Sequence, residues 1–212
     1  MADITPTILE RLADARRVRL EARVLGALSG RVATEAEVRE IIADVALSYV
    51  GVAEIGKTNT GHLVNRWLKA TGLSGGYYWC MAYAQYPYAI TGQVLYGRDL
   101  LPFNSAGTKA VMDWAIKRQL QVPYEDIGVG DLIIYQSGSG PEGHARIVVF
   151  RDGETFVMAE GNAGGGDPRN GGMVVAKVYT IKASEFGKPQ AKGLWPRGAV
   201  GVARLMDYAP AA

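Results

Sequence analysis

The chain reads as an α+β protein in which helices come first and an antiparallel sheet follows. Up to about Pro123, apolar residues recur at helical spacing; beyond it, short β-rich runs are separated by glycines and turn residues. Strands and helices do not alternate, so there is no signal for a parallel sheet.

The elements follow in order. Residues 7 to 28, TILERLADARRVRLEARVLGAL, place Leu9, Leu12, Leu20, Val24 and Leu28 at helical intervals, with arginines and acids forming a solvated face. Thr34-Glu35-Ala36-Glu37 has the form of a capping box, and Val38, Ile41, Ile42, Val45 and Tyr49 continue the helix it opens as far as Gly51. Thr60-Gly61 opens a third helix from His62 to Ala70, ended by Gly72. The segment GGYYWCMAYAQY at 75–86 predicts a helix beginning near Cys80, limited by Pro87 to about two turns before a kink. Ser105 to Gln119 carries Ala110, Val111, Trp114 and Ala115 on one stripe and reads as a further helix. Five strands are then expected at Asp131–Gln136, His144–Phe150, Thr155–Glu160, Met173–Ile181 and Ala199–Leu205. Asp152-Gly153 marks a tight hairpin between the second and third.

Composition narrows the function. The chain has 212 residues, 48% of them hydrophobic and 21% charged, which is ordinary for a globular protein. One cysteine excludes an internal disulfide framework, and two histidines leave no Cys/His cluster at zinc spacing, so no metal and no cofactor are expected. A net charge of +2 is too small to argue for nucleic acid. The N-terminus lacks the basic and apolar regions of a signal peptide, and no run approaches the ~18 apolar residues of a membrane span. The expected setting is therefore synthesis and folding in a cytoplasm, with export or release by something else if the chain acts elsewhere.

No phosphate-binding glycine loop, dinucleotide fingerprint, serine elbow or HExxH helix occurs. What remains is Cys80, His144 and a group to orient the histidine. Gly75 and Gly76 break the structure before Cys80, and the residues after it favour a helix, so the thiol stands at a helix N-terminus. Free N–H groups and the helix dipole favour a thiolate there, and the same N–H groups suit an oxyanion formed when a thiolate attacks an amide carbonyl. His144 opens a predicted strand, whereas His62 begins a helix where it is merely solvated. Pairing Arg151 with Glu154 across the hairpin brings His144 near residue 161, within reach of Glu160 or Asn162. Each residue also has a plainer reading, a core cysteine, a structural histidine and a strand-end pair; their joint arrangement is what points to nucleophilic catalysis.

Trp79-Cys80, Gly130-Asp131-Leu132-Ile133, Gly143-His144 with Ile147-Val148, and Glu160-Gly161-Asn162 together resemble the CHAP family of cysteine amidases and peptidases, relatives of the NlpC-type hydrolases. Glu54, Asn59 and Gly61, with Ser105-Ala106-Gly107 ahead of Trp114, resemble the branch found in phage and prophage cell-wall hydrolases. The resemblance covers about residues 46 to 206. It implies a papain-like α+β fold and cleavage of an amide in peptidoglycan. It makes Cys80 the nucleophile, His144 the base, and Glu160 with Asn162 the pair that orients the imidazole. It also assigns Tyr77, Tyr78 and Trp79 to the substrate cleft or oxyanion site. Arg146 departs from the small residue usual two places after the histidine, and is expected at the rim of the site, where it would set substrate charge preference. The loop Leu73-Ser74-Gly75-Gly76 has no carboxylate for the calcium that some phage members bind.

The implied organisation is a helical extension over 1–33, a CHAP-like hydrolase domain over 34–208 and a tail over 209–212. Three roles fit: an endolysin or tail-associated lysin acting on peptidoglycan, a secreted antibacterial amidase effector, or a non-catalytic component of a phage-like assembly. The N-terminal helix is the segment assigned to a phage or secretion assembly partner, against the plainer reading of a surface helix packed on the domain. The Gly-rich loop 163–172 is expected to form one wall of the cleft.

Overall fold

A computed structural model describes residues 33–164, 171–190 and 193–208. The helix expected over 7–28 and most of the glycine loop at 163–172 lie outside the described residues. The protein is α+β, with helices α1 (Glu35–Ser48), α2 (His62–Ala70), α3 (Cys80–Tyr96) and α4 (Thr108–Lys117) preceding a sheet of six antiparallel strands. The strands are β1 (Gln121–Val122), β2 (Leu132–Ser137), β3 (Gly143–Asp152), β4 (Thr155–Ala163), β5 (Met173–Thr180) and β6 (Leu194–Val200), in the spatial order β1-β6-β2-β3-β4-β5. A short helix α5 (Val202–Asp207) closes the chain. Among the described residues no helix is long and apolar enough to cross a membrane.

Side-chain alternation divides the sheet into two faces. Leu132, Ile134, Ala145, Ile147, Val157 and Ala159 join Ile42, Met81, Ala84 and Met112 in the main core between sheet and helices. Ile133, Tyr135, Val148, Phe156 and Met158 form a second cluster with Ile127, Ile181 and Ala199 on the other face. A third cluster, built on Trp67, Trp79 and Tyr83, packs α2 against the start of α3.

The capping box at Thr34 forms as its sequence requires: Thr34 Oγ1 accepts from the Glu37 N–H, and Glu37 Oε2 accepts from the Thr34 N–H at 2.9 Å. The expected helix over 105–119 is shorter, because Gly107 is the N-cap and Gln119 takes a positive φ beyond the end.

Two expectations are corrected. Pro87 does not end α3, which runs unbroken to Tyr96. Every residue from Cys80 to Tyr88 is buried, and burial of this helix against α1, α2, β3 and β4 outweighs the ~3 kcal/mol that an interior proline costs. Gly92 permits the chain to turn back tightly afterwards, since a Cβ there would stand 2.3 Å from the Arg98 carbonyl oxygen. The run Ala199–Leu205 is not a strand: β6 begins at Leu194 and ends at Val200, and α5 follows. Pro196 obscures β6 in the sequence; β1 pairs only with Ala199 and Val200, so the first half of β6 lies at the sheet edge, where proline is tolerated.

Asp131 locks this end of the molecule. Its fully buried carboxylate accepts from Arg39 Nη1 at 2.7 Å and from the Gly128 and Val202 N–H groups at 2.8 Å, which ties α1, β2 and the start of α5 together.

Candidate active site

Cys80 is the first residue of α3. Trp79 caps the helix without a side-chain hydrogen bond, and the first intrahelical bond from this end is Tyr83 N–H to the Trp79 carbonyl. The preceding N–H groups of the first turn are thus left for another acceptor. Tyr83 donates its hydroxyl to the Ala46 carbonyl and Tyr88 to the Gly130 carbonyl, which fixes the helix against α1 and the loop before β2. The Gln85 amide bonds both the Met81 carbonyl and the backbone of Ser105, so the wall formed by Ala106, Gly107 and Thr108 is tied to the same helix. Gly161 lets the start of α3 lie directly on β4: a Cβ there would come within 2.7 Å of Trp79 Cζ3 and Tyr83 Cβ.

The sheet brings up the histidine. The tip of the β3–β4 hairpin pairs Asp152 with Thr155, and a bulge between Val148 and Phe150 shifts the ladder, so that Ile147 faces Ala159. Continuing that register sets Arg146 opposite Glu160 and His144 opposite Asn162, one residue from the position inferred from the turn alone. The loop residues are Gly153 and Glu154, which moves the register two places from a pairing of Arg151 with Glu154, and the bulge takes one place back. His144 Nε2 lies 2.6 Å from Glu160 Oε2. Since the Glu160 carboxylate is ionised, the ring donates to it from Nε2–H, and Nδ1 is the nitrogen left for the Cys80 thiol, which lines the same cleft.

Glu160 is 2% exposed and is the hub of this network. Its Oε2 accepts from Arg146 Nε at 2.8 Å as well as from His144; its Oε1 accepts from the Tyr179 hydroxyl and lies 4.0 Å from Lys177 Nζ. The Arg146 guanidinium is held between the Tyr135 ring at 4.2 Å and the Tyr179 ring at 4.1 Å. Burial alone would raise the Glu160 pKa, but the bond from His144 and the charge of Arg146 outweigh it and bring it down to about 2. For His144, burial alone would lower the pKa; the charge and hydrogen bond of Cys80, with the bond to Glu160, raise it to about 9.

These groups open on a cleft of about 520 Å³ lined by Tyr78, Cys80, Thr108, His144, Asn162 and Leu194, among others. The structure therefore gathers Cys80, His144, Glu160 and Asn162 in one place, with Tyr78 half exposed at the cleft. It does not place the other three sequence candidates in the cleft lining. Trp79 is fully buried, packed on Trp67 and donating its indole N–H to Glu54 Oε2 at 3.4 Å. Tyr77 is exposed beside the cleft without lining it. Arg146 does not line the cleft; its side chain is largely withdrawn from solvent against Glu160, because the carboxylate and two aromatic faces replace most of its water. Asn162 shares the cleft with His144 but does not orient it, since the ring nitrogen goes to Glu160.

Tyr179, Tyr135 and Gln85 were not singled out by sequence. Tyr135 could have been found from strand order, because it pairs with His144 from β2; Tyr179 pairs with Phe156, four residues from Glu160, and only the folded sheet brings its hydroxyl to the carboxylate. Among the described residues no group of three His, Cys, Asp or Glu side chains is placed to hold a metal ion. No known family model matches the chain, and no curated protein matches it.

Proposed function

We propose that the protein is a papain-like cysteine hydrolase of the CHAP type that cleaves an amide bond of peptidoglycan, as an endolysin or tail-associated lysin of phage or prophage derivation. The observation that carries the chemistry is a helix-start thiol and an imidazole lining one cleft, with the imidazole bonded to a buried carboxylate that is itself clamped by Arg146 and Tyr179. The choice of peptidoglycan rests on the resemblance of the motifs around Trp79-Cys80, Gly143-His144 and Glu160-Gly161-Asn162.

In this reading the proton of Cys80 already rests on His144 Nδ1, as the raised imidazole pKa requires, and the thiolate sulfur attacks the substrate carbonyl. The negative charge that forms on the carbonyl oxygen is met by the free N–H groups at the start of α3, with Cys80 supplying the first. The imidazolium then returns the proton to the amide nitrogen, the C–N bond breaks, and an amine leaves a thioester on Cys80. Water, deprotonated by His144, attacks the thioester, and the acid and the free thiol are released. Glu160 stays ionised throughout and keeps Nε2–H directed away from the cleft, so Nδ1 alone exchanges the proton.

Digestion of purified Gram-negative sacculi with the protein and with Cys80→Ala, followed by mass spectrometry of soluble fragments, tests the assignment. Fragments released by the protein and absent from the variant support a wall hydrolase, and their masses identify the bond cut. No release by the folded protein refutes peptidoglycan as the substrate.

A further inference from the structure

Asn162 stands in the cleft with an unmet valence. It is 3% exposed, lines the cleft beside Cys80 and His144, and its Oδ1 is buried without a hydrogen-bond partner. Its backbone is held at φ 53°, one of three non-glycine residues with positive φ among those described. Left-handed backbone and an unsatisfied buried acceptor are both unfavourable, and they coincide at a reactive cleft more often than elsewhere. The hydrogen bond that would explain Asn162 as a support for the histidine is absent, because Glu160 holds that position.

The cleft also has a complementary part. The first turn of α3 offers N–H donors with no intrahelical acceptor, beginning at Cys80. A secondary amide carries both an acceptor and a donor on one rigid plane. Its carbonyl suits the helix N–H groups, and its N–H suits a fixed oxygen acceptor nearby. An ester or a fully substituted amide has only the first of these, and would leave Asn162 Oδ1 buried and unsatisfied after binding.

We infer that Asn162 is a specificity-determining residue whose Oδ1 accepts a hydrogen bond from an amide N–H of the substrate, so that the site selects N–H-bearing amides over esters and N-substituted amides. The inference rests on Cys80 and His144 being the reacting pair proposed above, and not on the substrate being peptidoglycan.

The test uses two alkylating reagents on the full chain: iodoacetamide, which carries amide N–H groups, and N,N-dimethyl-2-iodoacetamide, which has none. Because Cys80 is the only cysteine, intact mass reports a single site. Glutathione gives the intrinsic rate ratio of the reagents. Relative to that ratio the protein should favour iodoacetamide by roughly five- to tenfold, the worth of one recovered hydrogen bond. Asn162→Gly, which adopts positive φ without strain, should lose the preference, and Asn162→Asp, which keeps an acceptor, should retain it. Equal preference in the protein and Asn162→Gly overturns the inference, as does no preference in the protein itself. A uniform slowing of both reagents in Asn162→Gly makes the residue a support for His144 instead. Loss in Asn162→Asp identifies the amide NH₂ as the active group, which also overturns it. Failure of both reagents to modify folded protein refutes the reacting pair and the inference together, whereas modification without discrimination refutes only the role of Asn162.

Discussion

Replacing Glu160 by Gln removes one charge and little volume from the centre of the network, and its cost should depend on pH in a way that no generic destabilisation reproduces. The native carboxyl titrates at about 2, against 4.5 for an unperturbed one. That shift corresponds to about 3 kcal/mol of native stability at neutral pH. Because the folded pKa is the lower, this stability is present above about pH 4.5 and is lost as pH falls towards 2. Removing the carboxylate also leaves the Arg146 guanidinium, only 12% exposed, without its counter-ion. Breaking a buried pair from one side costs about 3–5 kcal/mol, a second measure of the same interaction and not an added one. Urea unfolding followed by tryptophan fluorescence should therefore show Glu160→Gln less stable by about 3–5 kcal/mol at pH 7. At pH 3 the gap should be narrower by about 2 kcal/mol, because the unfolded wild-type chain by then binds the proton that native Glu160 still excludes, while the variant has nothing to titrate there. A gap of the same size at pH 7 and pH 3 would show that Glu160 contributes packing and not charge, and would refute the electrostatic account of the hub.

Two further outcomes follow from the same geometry. His144 should titrate near 9 by imidazole NMR in the folded protein, so that the stability it gains from protonation is complete below about pH 6.5 and lost as pH rises through 9; in Cys80→Ala the value should fall, and an unchanged value would mean that the thiol does not interact with the ring. Gly161→Ala should destabilise the protein by about 1–3 kcal/mol and slow alkylation of Cys80, since the added methyl meets Trp79 and Tyr83 at 2.7 Å and pushes the start of α3 off β4; wild-type melting temperature and alkylation rate together would count against that contact.

Local signals in the sequence locate most of the framework. The capping box at Thr34 and Gly61 ahead of α2 are each specified within a few residues and form where their chemistry demands; the hairpin after β3 also forms, but its loop is Gly153-Glu154 and not Asp152-Gly153, because Asp152 still pairs with Thr155. The readings that fail involve residues whose environment is set from far along the chain. Pro87 has the properties of a helix terminator in isolation, but it occupies a segment buried on all sides, where tertiary packing decides. Pro196 hides a strand for the opposite reason, since nothing nearby in sequence reveals that β1 stops short of it. Ala199–Leu205 has β-rich composition throughout, yet Asp131, some seventy residues earlier, accepts from the Val202 N–H and so helps fix the start of a helix in its second half.

Arg146 shows most clearly what separates finding a site from understanding it. Strand alternation places it on the same side as His144, two residues away, and a guanidinium in that position is ordinarily solvated. The rim assignment follows from that ordinary behaviour. Here the charge is largely withdrawn from solvent instead, because β2 and β5 deliver Tyr135 and Tyr179 to its two faces while β4 delivers Glu160 to its edge. The consequence is a reversal of role. An arginine at the rim would select substrates by their charge; this one keeps Glu160 ionised, so that the carboxylate retains the His144 Nε2 proton and leaves Nδ1 to Cys80. The pairing of Cys80 with His144 thus depends on aromatic residues from strands on both sides of the hairpin, and those strands are brought together only by the completed sheet.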